Sequence, residues 1–314
     1  MDPVAIQREI VENIGRVIVG KRREIELALV TLICGGHLLI EDVPGVGKTS
    51  LAHALAKSLA CSFRRIQFTP DILPSDITGF TMPDPKTGVF TYRPGAVMAN
   101  IVLADEINRA SPKTQSSLLE AMEEQQVTVD GQTRKIDPPF MVLATQNPQE
   151  YLGTYPLPEA QMDRFFMRIS LGYPTAEEEV YLLRQMGGES GAVHLTPVAE
   201  GREVLLLQKA LPHIHADPEI TAYIVGIVSR TRLNPHVNLG ASPRASIALY
   251  RAARAWALYQ GRRFVLPDDV AFMSAHVLAH RVIPSQGARA KGISGADIVR
   301  EAVRTMPVPA IRPA

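Results

Sequence analysis

The sequence predicts a three-layer α/β fold with a parallel sheet, followed by a smaller domain made of α-helices. Continuous apolar runs at residues 101–104 and 140–144 are typical of strands that are buried on both faces of a parallel sheet. Segments with helical periodicity alternate with these runs, as expected when helices cover both faces of the sheet. Beyond about residue 201 the periodicity is helical, and a chain of 314 residues has room for about two domains.

The first domain is predicted to contain one sheet of five strands. One strand ends at Ile40, and the others are predicted at residues 63–68, 101–104, 140–144 and 165–171. Helices are predicted at residues 4–14, 21–33, 51–60 and 113–125. Two hairpins are predicted between these strands and helices. The first lies at about residues 78–93, and the second lies at about 126–136, around the turn signal Asp130-Gly131.

The second domain begins after a change in composition. The glycine-rich stretch 187–201 is predicted to be a linker, which leaves an α/β domain at residues 1–186 and a helical domain at 202–314. Within the helical domain no strand pattern of comparable quality occurs. Its helices are predicted at residues 202–211, 217–232, 243–260, 267–280 and 294–304.

Net charge gives little support for a nucleic-acid-binding protein. The chain carries a net charge of +1 at pH 7. Residues 201–314 contain 15 Lys and Arg against 7 Asp and Glu, a balance of +8, and residues 1–200 therefore carry −7. This asymmetry indicates either two surfaces that meet or a scatter of solvated helix faces.

Cysteine content and hydropathy favour a cytoplasmic protein. Cys34 and Cys61 are the only cysteines and lack C-x-x-C spacing, so neither a disulfide framework nor a zinc module is expected. The N-terminus lacks the basic and apolar regions of a signal peptide. The longest apolar run, residues 29–40, is interrupted and too short to cross a bilayer, so no membrane segment is expected.

A glycine-rich loop, DVPGVGKTS at residues 42–50, lies between the first predicted strand and a helix. Glycines let backbone N–H groups fold around a polyphosphate, and the helix directs its positive end at the same anion. Lys48 is placed to reach the β- and γ-phosphates, and the Thr49 hydroxyl to bind Mg²⁺. Asp42 stands where the first glycine of the motif belongs. An ordinary turn is the alternative, but the strand–loop–helix context favours a phosphate-binding loop.

Acidic and amide side chains follow two of the predicted strands. Asp105 and Glu106 end the run 101–104. In phosphate-loop proteins the first acid at such a strand end anchors Mg²⁺, and an adjacent Glu can polarise the attacking water. Asn147 follows the run 140–144, and open α/β sheets bind ligands at the carboxyl ends of their strands. Alone, the acids could cap a helix and the Asn-Pro pair could start a loop.

Two arginines complete the candidate site. Arg164 precedes the last predicted strand, and Arg244 opens the predicted helix 243–260. Phosphoryl transfer needs positive charge near the γ-phosphate, and a planar guanidinium supplies it. Each arginine taken singly is more often a partner in a surface ion pair.

Five sequence blocks resemble the MoxR family of AAA+ ATPases, and the resemblance extends from about Ile10 to Pro284. The blocks are FTPDILPSDITG at 68–79, LADEINR at 103–109, ATQNP at 144–148, GTYPLPEA at 153–160 and GASPRA at 240–245. In that family an Asp often fills the position of Asp42. The resemblance implies a P-loop NTPase sheet with a helical lid, in which the hairpin 78–93 is an insert in the second helix and 126–136 precedes sensor 1.

The resemblance also implies roles for the site residues, with ATP and Mg²⁺ as cofactors. Asp105 and Glu106 match Walker B, and Asn147 matches sensor 1. Arg164 matches an arginine finger that reaches a neighbour's site, whereas Arg244 matches sensor 2, which closes the lid over the nucleotide of its own subunit. Nucleotide binding is assigned to two segments. Val19 and Gly20 form the turn beside adenine, and the Walker A residues are Pro44, Gly45, Val46, Gly47, Lys48, Thr49 and Ser50.

Members of such families assemble as rings, usually hexamers, and use ATP to remodel or activate protein partners. These partners often contain a von Willebrand factor A domain, and no nucleic-acid partner is expected. A nucleic-acid motor is the alternative that the basic helical domain favours, and a nucleotide-gated scaffold with weak hydrolysis is another. The neutral net charge disfavours the motor, and the presence of Glu106 and Arg164 disfavours the scaffold.

Overall fold

A sheet of five strands lies at the centre of the structure. The computed structural model describes residues 2–86, 88–147, 154–187 and 195–310. In these ranges the strands are β1 (Leu38–Glu41), β2 (Phe63–Gln67), β3 (Gly79–Pro83), β4 (Phe90–Pro94), β5 (Ile101–Asp105), β6 (Gln126–Val129), β7 (Gln132–Lys135), β8 (Met141–Gln146), β9 (Met167–Ile169), β10 (Val237–Leu239) and β11 (Ile283–Pro284). The helices are α1 (Pro3–Gly15), α2 (Arg22–Ile33), α3 (Lys48–Ser58), α4 (Pro74–Thr78), α5 (Pro112–Glu124), α6 (Glu159–Met162), α7 (Ala176–Gly187), α8 (Gly201–Ala210), α9 (Pro218–Leu233), α10 (Pro243–Tyr259), α11 (Pro267–Leu278), α12 (Gln286–Ala290) and α13 (Gly295–Thr305).

The order of the strands brings the ends of β1, β5 and β8 side by side. The main sheet has the order β2-β5-β8-β1-β9, and every pair in it is parallel. All of β5 is buried, as its continuous apolar run predicts. Because β8 lies between β1 and β5, the loops that follow these three strands meet at one edge. The predicted five-stranded parallel sheet is confirmed.

Two apolar layers cover the faces of the sheet. Ile40 and Ile101 face a core that includes α1, α2, α3 and the helices after residue 201. Leu39 and Val102 face the opposite core, which includes Leu118 of α5. Successive strand residues thus enter different cores, as the period of two in a strand requires. The chain therefore forms the expected three layers, with the helical part continuous with one of them.

The helical part differs from the prediction in one respect. Its main helices, α8 to α11 and α13, match the predicted ranges to within about two residues. We predicted no strands here, but β10 and β11 pair antiparallel, with Val237 opposite Pro284. Both strands are too short to show an alternating pattern in the sequence, and this small sheet was missed for that reason.

The predicted linker ends in a segment that packs on the α/β part. Asn13 Nδ2 donates to Thr196 O at 3.0 Å, and the backbone N–H groups of Val198 and Ala199 both donate to Ser58 O. Residues 188–194 of that linker lie outside the described residues, as do Thr87 of the first hairpin, residues 148–153, and the tail 311–314. The last strand is also shorter than predicted: β9 spans Met167–Ile169, and the buried Phe165 and Phe166 precede it.

Both predicted hairpins are present, and they touch each other. β3 pairs with β4 and β6 with β7, each antiparallel. The guanidinium of Arg134 in β7 lies 4.1 Å from the centre of the Tyr92 ring in β4. A cation over an aromatic face is attracted to the ring's negative face, so this contact joins the two hairpins.

No helix among the described residues combines the length and apolar character that crossing a membrane requires.

Candidate active site

The glycine-rich loop forms an open cradle at the carboxyl end of β1. Gly45 and Gly47 have φ values of 85° and 94°, a left-handed backbone that favours glycine. Gly47 is the N-cap of α3, and no described side chain caps the first turn, so its N–H groups can serve an anion. Lys48 Nζ donates to Asp42 O at 2.9 Å and to Val43 O at 3.1 Å, which keeps the ammonium over the loop. The cradle and its donors therefore fit a bound polyphosphate.

Asp42 fastens this loop to the end of β9. The side chain is buried, and its Oδ2 accepts hydrogen bonds from Ser170 Oγ at 3.0 Å, Leu171 N at 2.6 Å and Gly172 N at 2.7 Å. Asp42 is not among the residues with positive φ, so its backbone has no need of glycine. The departure from the usual motif thus adds an anchor without changing the cradle.

A buried threonine hydroxyl joins the two acids at the end of β5. Thr145 Oγ1 donates to Asp105 Oδ1 at 2.6 Å and accepts from Glu106 N at 2.8 Å. Glu106 takes a left-handed conformation with φ of 57°, which is uncommon for a residue with a side chain. Such conformations persist where the surroundings hold them, and they cluster at functional sites. The hydroxyl therefore fixes the positions of both acids.

Two side chains of β2 also bind these acids, and sequence reasoning missed both. Arg65 Nη2 donates to Asp105 Oδ2 at 2.6 Å and to Gln67 Oε1 at 2.7 Å. Gln67 Nε2 in turn donates to Glu106 Oε2 at 2.9 Å. In the sequence, the alternating pattern of this strand indicates only that Arg65 and Gln67 are exposed. Only the pairing of Gln67 with Asp105 in the parallel register of β2 and β5 reveals their role.

The remaining residues predicted at the nucleotide lie around this edge. Asn147 directly follows β8, the strand that lies between β1 and β5. Val19 and Gly20 lie in the turn after α1, where the neighbouring Ile18 approaches the loop: a Cβ at Gly47 would lie 3.9 Å from Ile18 Cδ1. Gly20 itself has φ of 75°, and any side chain there would meet the carboxylate of Glu178.

Arg164 and Arg244 lie together, away from this edge. Arg164 Nε is 3.1 Å from Glu123 Oε2, and Arg244 Nη2 is 2.6 Å from Glu123 Oε1. All three line a cleft of about 290 Å³ that also includes Gly36 and His37, just ahead of β1. The arginines therefore lie at the amino end of β1, whereas the glycine-rich loop follows its carboxyl end.

The position of Arg244 corrects the expectation that it closes over the nucleotide of its own subunit. The four residues of β1 alone extend about 13 Å at roughly 3.3 Å per residue. A guanidinium held at one end of this strand cannot also contact a phosphate at the other. The motif identified Arg244, but a sequence does not give the direction in which the helical part packs on the sheet.

His37 fixes the wall of this cleft. Its Nδ1 accepts from Val142 N at 3.0 Å, so its Nε2 donates to Met122 O, also at 3.0 Å. Burial lowers the pKa of His37 to about 4, so the ring is neutral at pH 7. The neutral ring links α5 to β8 and thereby positions Glu123, the residue that follows Met122.

Comparison with known proteins shows which family the chain belongs to. The model of the ATPase family associated with various cellular activities (AAA) matches residues 37–167, and that of the AAA lid domain matches residues 229–302. The uncharacterized protein YeaC of Bacillus subtilis is 52% identical over 97% of this chain and 95% of its own length. Chaperone MoxR1 of Mycobacterium tuberculosis is 39% identical over 98% of this chain and 83% of its own length. The chain belongs to the MoxR family of AAA+ ATPases.

A solved structure has the same architecture as this MoxR-family chain. The crystal structure of a candidate ATPase from Cytophaga hutchinsonii superposes with a TM-score of 0.91 and 37% sequence identity. The match covers 98% of this chain and 97% of that one. The resemblance found in the sequence motifs and the predicted fold with its helical lid are both confirmed.

Proposed function

We propose that this MoxR-family protein hydrolyses ATP as a ring of identical subunits. The observation that carries the proposal is the separation of the candidate site into two parts. The glycine-rich loop, Asp105 and Glu106 lie at the carboxyl edge of the sheet, whereas Arg164 and Arg244 lie at the amino end of β1. One subunit alone cannot bring the two parts together, but a head-to-tail ring repeats a contact that does.

ATP binding is assigned to the loop and to the turn beside it. Backbone N–H groups from Gly45 to Ser50 bind the phosphates, and Lys48 neutralises the charge of the β- and γ-phosphates. Pro44 and Val46 shape the cradle, and Val19 with Gly20 borders the base. The exposure of Pro44, Gly45, Thr49 and Ser50 leaves the cradle open to a ligand.

Hydrolysis is assigned to the acids at the end of β5. Asp105 and the Thr49 hydroxyl would hold Mg²⁺, which supplies positive charge to the phosphates. Glu106 accepts a proton from the attacking water, and Asn147 orients the γ-phosphate or that water. Arg65 donates to Asp105 Oδ2 and would hold this carboxylate in position for the ion.

The ring would place Arg164 and Arg244 of one subunit against the nucleotide of the next. Their side chains are 30% and 55% exposed, and together they carry one more positive charge than Glu123 balances. An anion from outside the subunit would compensate this excess. Six subunits is the number that the resemblance to ring-forming families implies.

The partner is proposed to be a protein that the ring remodels or activates. A curated relative is described as a chaperone, MoxR1 of Mycobacterium tuberculosis. Proteins with a von Willebrand factor A domain are the proposed clients, in line with the family resemblance.

Two variants test the assignment of binding and hydrolysis to different residues. Lys48→Ala should lose ATP binding, because the ammonium neutralises ground-state phosphate charge. Glu106→Gln should bind ATP normally and hydrolyse it very slowly, because Glu106 acts on the water. Binding of a fluorescent ATP analogue and release of phosphate measure the two properties separately. Equal loss of ATP affinity in both variants would contradict the assignment.

A further inference from the structure

Glu123 occupies a position that its own helix disfavours. It lies in the last turn of α5, which contains no basic residue. The negative end of a helix dipole lies there, so a carboxylate is unfavourable unless cations stand nearby. For Glu123 these cations come from elsewhere in the chain, namely Arg164 and Arg244.

Each oxygen of the Glu123 carboxylate holds a different guanidinium. Oε2 receives Nε of Arg164 at 3.1 Å, and Oε1 receives Nη2 of Arg244 at 2.6 Å. The two oxygens of a carboxylate belong to one small rigid group, so the two cations are held side by side. Without the carboxylate between them, two like charges at this separation would repel. Glu123 therefore sets the spacing of the two arginines.

Arg281 and Arg251, which also line the cleft, bind groups other than Glu123. Arg281 is buried, and its Nε donates to Asp163 Oδ1 at 2.7 Å while its Nη groups hold backbone carbonyls of the segment before β9. Arg251 donates to Cys34 O at the end of α2. Arg164 and Arg244 are the two arginines of the cleft that pair with Glu123, and no other described residue forms an ion pair with either of them.

We infer that Glu123 is a positioning residue that presents Arg164 and Arg244 as one bidentate cationic unit to a single phosphate of the neighbouring subunit. The inference rests on the proposed function, in which both arginines act on a neighbour's ATP. Glu123 does not touch the nucleotide and acts only through the two guanidinium groups.

The test compares Glu123→Gln with Glu124→Gln, a matched control on the same helical turn for which no described residue is a partner. Glu123→Gln keeps the size of the side chain but loses the charge that holds the arginines together. The expected kcat for ATP hydrolysis falls roughly 10-fold, a modest part of the 10³–10⁵ that an arginine finger contributes. Affinity for ATP, ring size and the thermal unfolding midpoint should stay unchanged. Glu123→Asp keeps the charge, so its kcat should be higher than that of Glu123→Gln. The control variant Glu124→Gln should have the kcat of the wild type.

Introducing Glu123→Gln into the Arg244→Ala variant separates a positioning role of Glu123 from a structural one. Once Arg244→Ala has removed one cation, no pair remains to be held, so Glu123→Gln should then lower kcat far less than in the wild type. A wild-type kcat for Glu123→Gln, or the same loss in both backgrounds, would overturn the inference. Arg164→Ala is measured alongside. If it abolishes hydrolysis while Glu123→Gln is fully active, only the role of Glu123 fails; a fully active Arg164→Ala would overturn the proposed function as well.

Discussion

Asp42 explains how a glycine-rich loop functions with an acid at its first position. The motif's glycines serve positions where the backbone takes a positive φ, as Gly45 and Gly47 do, and Asp42 is not such a position. Its buried carboxylate instead accepts the N–H groups of Leu171 and Gly172. Those groups lie in the segment that directly follows β9. The acid thus ties the phosphate cradle to the edge of the sheet.

Removing this carboxylate should destabilise the fold. Asp42→Ala is expected to lower the free energy of unfolding by roughly 2–4 kcal/mol, because the buried N–H of Leu171 and the partly buried N–H of Gly172 lose their acceptor, at about 1–3 kcal/mol for a buried group. Asp42→Asn keeps an oxygen acceptor and should lose less. Urea unfolding followed by circular dichroism measures both variants. An Asp42→Ala protein as stable as the wild type would show that the turn finds other acceptors.

At the scale of elements, the β3–β4 hairpin combines exposed aromatic side chains with a fixed base. Phe80 and Phe90 are 45% and 71% exposed. Tyr92, in contrast, donates from its hydroxyl to Thr78 O at 2.6 Å and lies under the guanidinium of Arg134. Phe90 lies opposite Pro83 at the outer end of the hairpin, whereas Phe80 lies opposite Arg93 near its base. An exposed aromatic side chain at the end of a hairpin is typical of a recognition surface. We therefore expect the tip to contact a partner and Tyr92 to hold the base.

Replacing residues 83–88 with a short Gly-Ser turn tests this division. The described residues of this segment, 83–86 and 88, belong neither to the site nor to the two apolar cores, so basal ATPase should stay at the wild-type level. Stimulation by a partner, captured with the Glu106→Gln ring, should be lost. A collapse of basal activity would instead mean that the hairpin supports the site structurally.

At the scale of the whole molecule, charge is distributed in a way that suits a head-to-tail ring. The balance of +8 in residues 201–314 and −7 in residues 1–200 offers complementary fields to a repeated heterologous contact. Screening by salt shortens the reach of such fields to about 8 Å at physiological ionic strength. Ring assembly, measured by analytical ultracentrifugation, should therefore weaken between low and moderate salt. Rings that become tighter as salt rises would indicate an apolar contact between subunits.

Sequence patterns predicted those parts of the molecule that depend on neighbours along the chain. The strands of the main sheet, the place of Lys48 at the start of α3, and those of Asp105 and Asn147 at strand ends follow from local periodicity and motif context. Arg65 and Glu123 were missed because their partners lie on other elements, and only register and packing bring them together. The same reason explains Arg244, whose motif was recognised but whose place at the amino end of β1 depends on how the helical part docks.

Mixing two inactive variants tests most directly whether Arg164 serves the ATP of a neighbouring subunit. Arg164→Ala keeps Lys48 but lacks the arginine finger, and Lys48→Ala has the opposite defect. A site that combines wild-type Lys48 with wild-type Arg164 can then form only between the two variants. Recovered ATPase in the mixture is the predicted result, because each variant supplies what the other lacks. No recovery in rings shown to contain both variants would mean that Arg164 acts within its own subunit.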